Sequence, residues 1–277
     1  IDMESYLEEQ AQISTRLDEV ISINYLWDIF EILDQSISLD LELFHINKNG
    51  EIHPSCIFIN DDNIIINDNI MISAGVILDA SKGPIIIESG STIDIGALIK
   101  GPVYIGPNTK INPGAKLIGP VAIGPLCKVG GEVEDSVIQG FSNKQHDGFL
   151  GHSYVGEWVN LGANTNTSDL KNNYSPIKMY TNKNDFIDTN KMFIGSIIGD
   201  FTRTAIGTKL NTGTFIGTGS NLFEDGFQDK YISSFSWGKQ ERVGLNRFIK
   251  SLKKAMLRRD CSMPESLKQR LIELYQR

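Results

Sequence analysis

The sequence predicts an all-β solenoid, a left-handed parallel β-helix of hexapeptide repeats from about Ile66 to Leu222, with helical segments at both ends. Three observations predict it. Aliphatic residues recur every six positions at Ile87, Ile93, Ile99, Ile105, Ile111, Leu117, Ile123 and Val129. Four residues after each stands a small or β-branched residue: Ser91, Ala97, Val103, Thr109, Ala115, Val121, Cys127 and Val133. Finally, no helical pattern of roughly 10–15 residues alternates with these short strands, which removes an ordinary α/β reading.

The six-residue period follows from a triangular prism. The aliphatic residue of each flat face points inward and stacks on its equivalent one coil away. The small residue also points inward, where a tight corner leaves little room. Glycine and asparagine between them, as in IGPNTK and INPGAK, suit the unusual backbone of the turn. The left hand comes from known hexapeptide folds, an exception to the right-handed crossover rule; the period does not supply it. The register extends upstream to Ile66, Ile72 and Leu78 across an insertion at 82–84. Downstream it resumes at Phe149, Val155 and Leu161, then at Met192, Ile198, Thr204, Leu210, Ile216 and Leu222. These hexads predict roughly six to seven coils at three hexads per coil.

The expected divisions are a helical segment over 1–55, the β-helix over 56–232 and a helical extension over 233–277. Two stretches break the repeat and are expected to leave the prism as loops, 139–147 and 166–190. Residues 1–50 hold eleven Asp or Glu against Arg16 and Lys48, and Tyr25, Leu26, Ile29, Phe30 and Leu33 form a helical apolar stripe. Residues 241–277 hold ten Lys or Arg against four Asp or Glu. There, Ser262-Met-Pro-Glu reads as a helix cap with proline in the first turn. Both ends are expected to cap the open prism.

A net charge of −8 argues against a nucleic-acid or anionic-membrane partner. No apolar run approaches the ~20 residues of a membrane span. Three scattered cysteines fit a reduced, cytoplasmic protein, and four separated histidines give no metal-site spacing. The start at Ile1 leaves room for a preceding segment. Among the histidines, His146 lies in a polar loop beside Gln145 and Asp147, suited to a general base near neutral pH or simply to solvent. His152 falls at an outward position of the hexad LGHSYV, and His45 and His53 have no polar constellation around them.

The stretch QHDGFLGHSYVGEWVNLGANT resembles the acetyltransferase domain of the bifunctional N-acetylglucosamine-1-phosphate uridyltransferase/glucosamine-1-phosphate acetyltransferase family and its sugar-nucleotidyltransferase relatives. In that family a histidine is followed by a tyrosine and then by G-x-x-x-x-G-x-x-x-N-x-G-A-G-T. His146, Phe149, Gly151, Gly156, Asn160, Gly162, Ala163 and Thr165 keep that spacing without a gap. The resemblance implies His146 as catalytic base and Asn160 and Phe149 as sugar contacts. It implies Ala163, Asn173 and Tyr174 at the acetyl-CoA site, with acetyl-CoA as co-substrate and an amino-sugar phosphate as acceptor. It also implies a homotrimer with sites between prisms, and basic C-terminal helices near the CoA phosphates. Tyr25–Gln35 resembles the segment that ends a nucleotidyltransferase domain, whose glycine-rich loop would then precede Ile1.

Four positions depart from the pattern. Asn112 stands where an arginine is expected, Glu134 where a lysine is, Phe149 where a tyrosine is, and Asn164 replaces the middle glycine. Each lost cation would weaken phosphate binding by more than about 1 kcal/mol in a partly buried site. The departures leave open a different sugar phosphate, or a non-catalytic domain serving oligomerisation.

Overall fold

The computed structural model describes residues 22–44 and 50–277; the helical reading of residues 1–21 and the position of His45 lie outside the described residues. The chain winds as a parallel β-solenoid of about ten turns, with helices at both ends. Rungs on the first face begin at Ile64, Ile85, Val103, Val121, Ser136, Tyr154, Ser196, Thr214 and Tyr231. The second face runs from Glu51–Ile52 to Ser236–Trp237, and the third from Ile57–Ile59 to Lys209–Leu210. Rungs therefore extend beyond the expected 56–232 at both ends. They exceed the expected six to seven coils because several turns do not keep an 18-residue period.

The inward register holds wherever the period is strict. All eight aliphatic residues from Ile87 to Val129, and all eight small residues four positions on, are buried. Successive coils align Ile87, Ile105 and Ile123 side by side, so each isoleucine packs on its own kind above and below. Burying each such side chain is worth about 2 kcal/mol. Polar residues at small inward positions are satisfied by the next coil: Ser91 Oγ donates to Gly106 O (3.0 Å) and Thr109 Oγ1 to Gly124 O (2.9 Å).

The register shifts where coils shorten. Ile123 aligns with Ile138 and Ile138 with Val155, steps of fewer than 18 residues. Here the expected inward Phe149 is half-buried and its neighbour Leu150 is the core residue, aligned with Val133. Met192 is likewise 46% exposed, and Ile194 is buried in its stead. Neither expected loop is wholly a loop. Asn143–Lys144 forms a regular rung within 139–147. Asn166–Thr167 pairs with Lys209–Leu210, and only after it does the chain leave as an antiparallel hairpin, Lys178–Tyr180 against Phe186–Asp188.

Helix α1 (Ile29–Asp40) lies on the first face. Its buried Leu33 and Ile37 pack with the outward residues Ile65, Ile86, Tyr104, Ala122, Val137 and Tyr154. Tyr25 and Leu26, expected in the apolar stripe, precede the helix and are exposed; Trp27 is the buried residue there. Helices α2 (Leu245–Leu257) and α3 (Glu265–Gln276) cover the late coils. The corner between first and second faces explains why. Its turns hold left-handed residues in register: Gly90, Asn108, Leu126, Phe141, Trp158, Phe201, Gly219 and Phe235. Early coils use glycine or asparagine there, as the backbone prefers. Late coils use aromatics, with Phe141 stacked on Trp158 at 4.3 Å and Phe235 edge-on to Phe248 of α2. Gly219 is the gap that admits Phe248, since a Cβ there would lie 2.9 Å from its ring. The expected cap at Ser262 is absent: Pro264 occupies the N-cap of α3 and no side chain bonds that end.

Candidate functional site

His146 stands at the corner between second and third faces, immediately after the rung Asn143–Lys144. The preceding coil turns this corner in four residues, Val129 to Val133, whereas Leu161 to Thr167 takes six. The short turn needs Gly131 at φ +70°, and beside Asp147, the residue after His146, lies a cleft also lined by Lys116, Glu132, Phe149 and Asn164. The imidazole is exposed and has no protein partner among the described residues; neighbouring Asp147 does not bond it.

What holds the turn is Lys144. It occupies an inward position between Val129 and Leu161, where the neighbouring coils place aliphatic residues, and is 3% exposed. Its Nζ donates to Gly130 O (2.8 Å) and to the carbonyl of His146 itself (2.7 Å). A Cβ at Gly131 would lie 2.8 Å from that nitrogen, so the glycine is needed for room as well as for conformation. Asn112 adds a second brace, its Nδ2 donating to Gln145 O at 2.9 Å. The residue standing where a phosphate-binding arginine was expected is thus tied to the backbone of the histidine turn.

Burial pulls the Lys144 ammonium down to about 8 from its ordinary 10.5, against the pull of Asp147 and Glu132. The unfolded chain holds this proton more tightly, so the cost of burying the charge is fully present below about pH 8 and disappears as pH rises to 10.5. The melting temperature of wild type relative to Lys144→Met should therefore climb across that interval. A difference that stays flat in pH-resolved calorimetry would mean that the amine keeps its ordinary pKa in the folded chain.

The other expected site residues fall into three places. Ala163 stacks on the His146 turn, as shown by Asn164 N–H donating to Asp147 O (2.9 Å), and its carbonyl accepts from Gly207 (2.8 Å). Phe149 opens the third face, with its ring against Gly151, and donates its N–H to Asn166 Oδ1. Asn160 projects from the second face, accepting from Asn143 Nδ2 at 3.3 Å, into a cavity of about 550 Å³ beneath α2. Asn173 and Tyr174 sit apart, on the excursion that carries the hairpin. Asn173 Oδ1 caps Ser175, and Tyr174 is 66% exposed in a left-handed turn. Lys230 lies close enough to Lys171 that burial, and then this second cation, lowers its pKa.

His152 is not the free outward residue expected. Its Nδ1 bonds Asp169 Oδ2 (2.8 Å), its Nε2 lies 3.7 Å from Asp135 Oδ2, and its ring stacks on Phe193. Leu170 and Phe193 form the bridge that closes the base of the excursion. His152 therefore clamps the loop bearing Asn173 and Tyr174. Burial pushes Asp135 up to about 6, opposed by His152.

Sequence reasoning missed Lys144, although Ile138, Lys144 and Leu150 are spaced by six. It also missed the clamp and the cavity under α2. Glu134, expected to replace a cation, lies on the third face in register with Gly151.

No family model matches the chain. It is 32% identical over 166 residues to a protein of Sulfurisphaera tokodaii described as a bifunctional sugar-1-phosphate nucleotidylyltransferase/acetyltransferase, covering 58% of this chain and 40% of that one. It is 29% identical over 107 residues to the bifunctional protein GlmU of Methanococcus aeolicus, covering 36% and 26%. Over 114 residues it is 29% identical to the same-named protein of Methanococcus vannielii, covering 40% and 27%. The resemblance to such bifunctional proteins is therefore shown at low identity, and it fits their hexapeptide-repeat part. The chain spans between about a quarter and two fifths of the length of these relatives. Among the described residues no helix is long and apolar enough to cross a membrane.

Proposed function

We propose that this chain is an acyl-CoA-dependent N-acetyltransferase acting on an amino-sugar phosphate. The observation that carries the reading is the braced turn at His146. The buried Lys144 and the partly buried Asn112 hold the backbone of the turn through Nζ and Nδ2 while the imidazole stays free. A residue of mere surface polarity needs no such bracing. The neutral imidazole takes the proton of the sugar's ammonium, and the freed amine attacks the thioester carbonyl of acetyl-CoA. The C–N bond forms as the C–S bond breaks, and the departing thiolate leaves as the thiol after taking a proton. Backbone N–H groups of the corner stabilise the developing oxyanion. Tyr174, with Lys171 and Lys230 nearby, supplies one wall for the acyl donor.

The active unit in this reading is a homotrimer. The chain's own elements cover the first face and the late part of the second, whereas the third is uncovered among the described residues and exposes Ile57, Ile59 and Leu98. A neighbour on that face would close the cleft beside Asp147. The test is release of free thiol from acetyl-CoA, dependent on an amino-sugar phosphate, eluting with material that light scattering sizes as a trimer. Thiol release that ignores the sugar phosphate, or activity confined to monomer, would overturn the respective part. The rival reading, a non-catalytic oligomerisation domain, predicts no transfer at all.

A further inference from the structure

Five cations surround the cavity that receives Asn160. Lys128 and Arg203 rise from the second face, and Lys254, Arg258 and Arg259 come from the end of α2 and the turn after it. No carboxylate lines this space, and among the described residues none of the five is paired with an acidic side chain. In a chain of net charge −8 this concentration is not a general property of the surface. The C-terminal dipole of α2 accounts for cations on the helix. It does not account for Lys128 or Arg203, which belong to the solenoid.

Arg259 is engaged structurally, donating to Leu126 O (2.9 Å) and Asn143 Oδ1 (2.8 Å), and so pins the helix end to the sheet. Arg203 has one neutral partner, Ser251 Oγ at 3.0 Å, and burial already disfavours its charge. The side chains of Lys128, Lys254 and Arg258 make no protein hydrogen bond among the described residues. Mutual repulsion and partial desolvation make this arrangement unfavourable until an anion enters. Asn160 and Gln145 line the same cavity, and Gln145 immediately precedes His146 in the chain.

We propose that this cavity binds the phosphate of a phosphorylated sugar, with Arg203, Lys128, Lys254 and Arg258 on the phosphate and the amides of Asn160 and Gln145 on the sugar. The cations absent at Asn112 and Glu134 are then supplied by the outward side of the second face and by the end of α2. The identity of the sugar rests on the acetyltransferase reading; the phosphate chemistry rests on the cavity alone. Coenzyme A also carries phosphates, and the experiment separates the two sources.

The full chain is titrated by calorimetry at low salt with glucosamine 1-phosphate and, separately, with adenosine 3′,5′-bisphosphate. Wild type and the double variant Lys254→Glu/Arg258→Glu are compared; both residues are exposed, so melting should be unchanged. Glucosamine 1-phosphate should bind wild type, and the double variant should lose at least tenfold in affinity. Lys128→Gln should show a smaller loss in the same direction. Loss confined to the bisphosphate would overturn the sugar assignment and give the cavity to the acyl donor. Equal affinities in wild type and double variant, or no binding of either probe, would overturn the site itself. Charge-sensitive binding without acetyl transfer would leave this site standing and remove the catalytic reading. His146-dependent transfer with an unchanged KM in the double variant would do the reverse.

Discussion

Ile105→Asp should yield no cooperatively folded protein. Ile105 is fully buried, aligned between Ile87 and Ile123 in the middle of the solenoid, and no basic group reaches that interior position. An unpaired carboxylate in such a space costs several kcal/mol even after its pKa shifts. That is comparable to the whole stability of an ordinary domain, about 5–15 kcal/mol. Ile95 offers the contrast: it belongs to the same repeats but is 60% exposed, so Ile95→Asp should melt within a few degrees of wild type. Soluble fraction and circular-dichroism melting read both outcomes. A soluble, sharply melting Ile105→Asp protein would mean that the inward register is wrong.

For His146→Ala the expected result is a fall in acetyl-transfer rate by roughly 10² to 10⁴, the usual contribution of a positioned base. Acetyl-CoA affinity and melting temperature should hold, because the exposed imidazole supports neither the core nor the excursion. His152→Ala should behave differently. It removes the bond to Asp169 and the stacking on Phe193, so it should loosen the loop carrying Asn173 and Tyr174. Its effect should appear mainly as a raised KM for acetyl-CoA, with stability lower by about 1 kcal/mol. Equal rates for wild type and His146→Ala on the best acceptor would end the assignment of His146 as base. Equal KM values for wild type and His152→Ala would end the clamp.

The hexads from Ile87 to Val129 were legible because each coil there spends six residues per face, so a linear count maps directly onto the prism. The count failed where the coil from Ile123 to Ile138 lost residues, and it then placed Phe149 where Leu150 belongs. Lys144 was hidden by chemistry rather than by spacing: a lysine is not expected inside a prism, and only the carbonyls of Gly130 and His146 make it tolerable. The aromatics that seat α2 were hidden for a conformational reason. Phe141, Trp158, Phe201 and Phe235 adopt positive φ, which bulky residues seldom do. The candidate base, His146, was singled out through the family resemblance that the motif spacing carries. The cations around Asn160 were not, because Arg203 and Arg258 are brought together only when the helix folds back onto the sheet.

Helix α1 changes how the solenoid should come apart. Coils in a solenoid touch only their neighbours, so such proteins behave as one-dimensional chains that can fray coil by coil from an end. Twelve residues of helix span about 18 Å, or roughly four rungs at 4.8 Å spacing. With its flanking turns, α1 shares one apolar cluster with outward residues from Ile65 to Tyr154. No coil beneath it can open without losing a partner common to the others. The helix is thus a splint laid lengthwise along the first face, and it ties those coils into a single cooperative unit. The coils from Ser196 onward are tied to the same unit by Trp27 and by Phe30 of α1, which share a cluster with Ile197 and Phe215, and by the turn after α2, which Arg259 pins to Leu126 and Asn143.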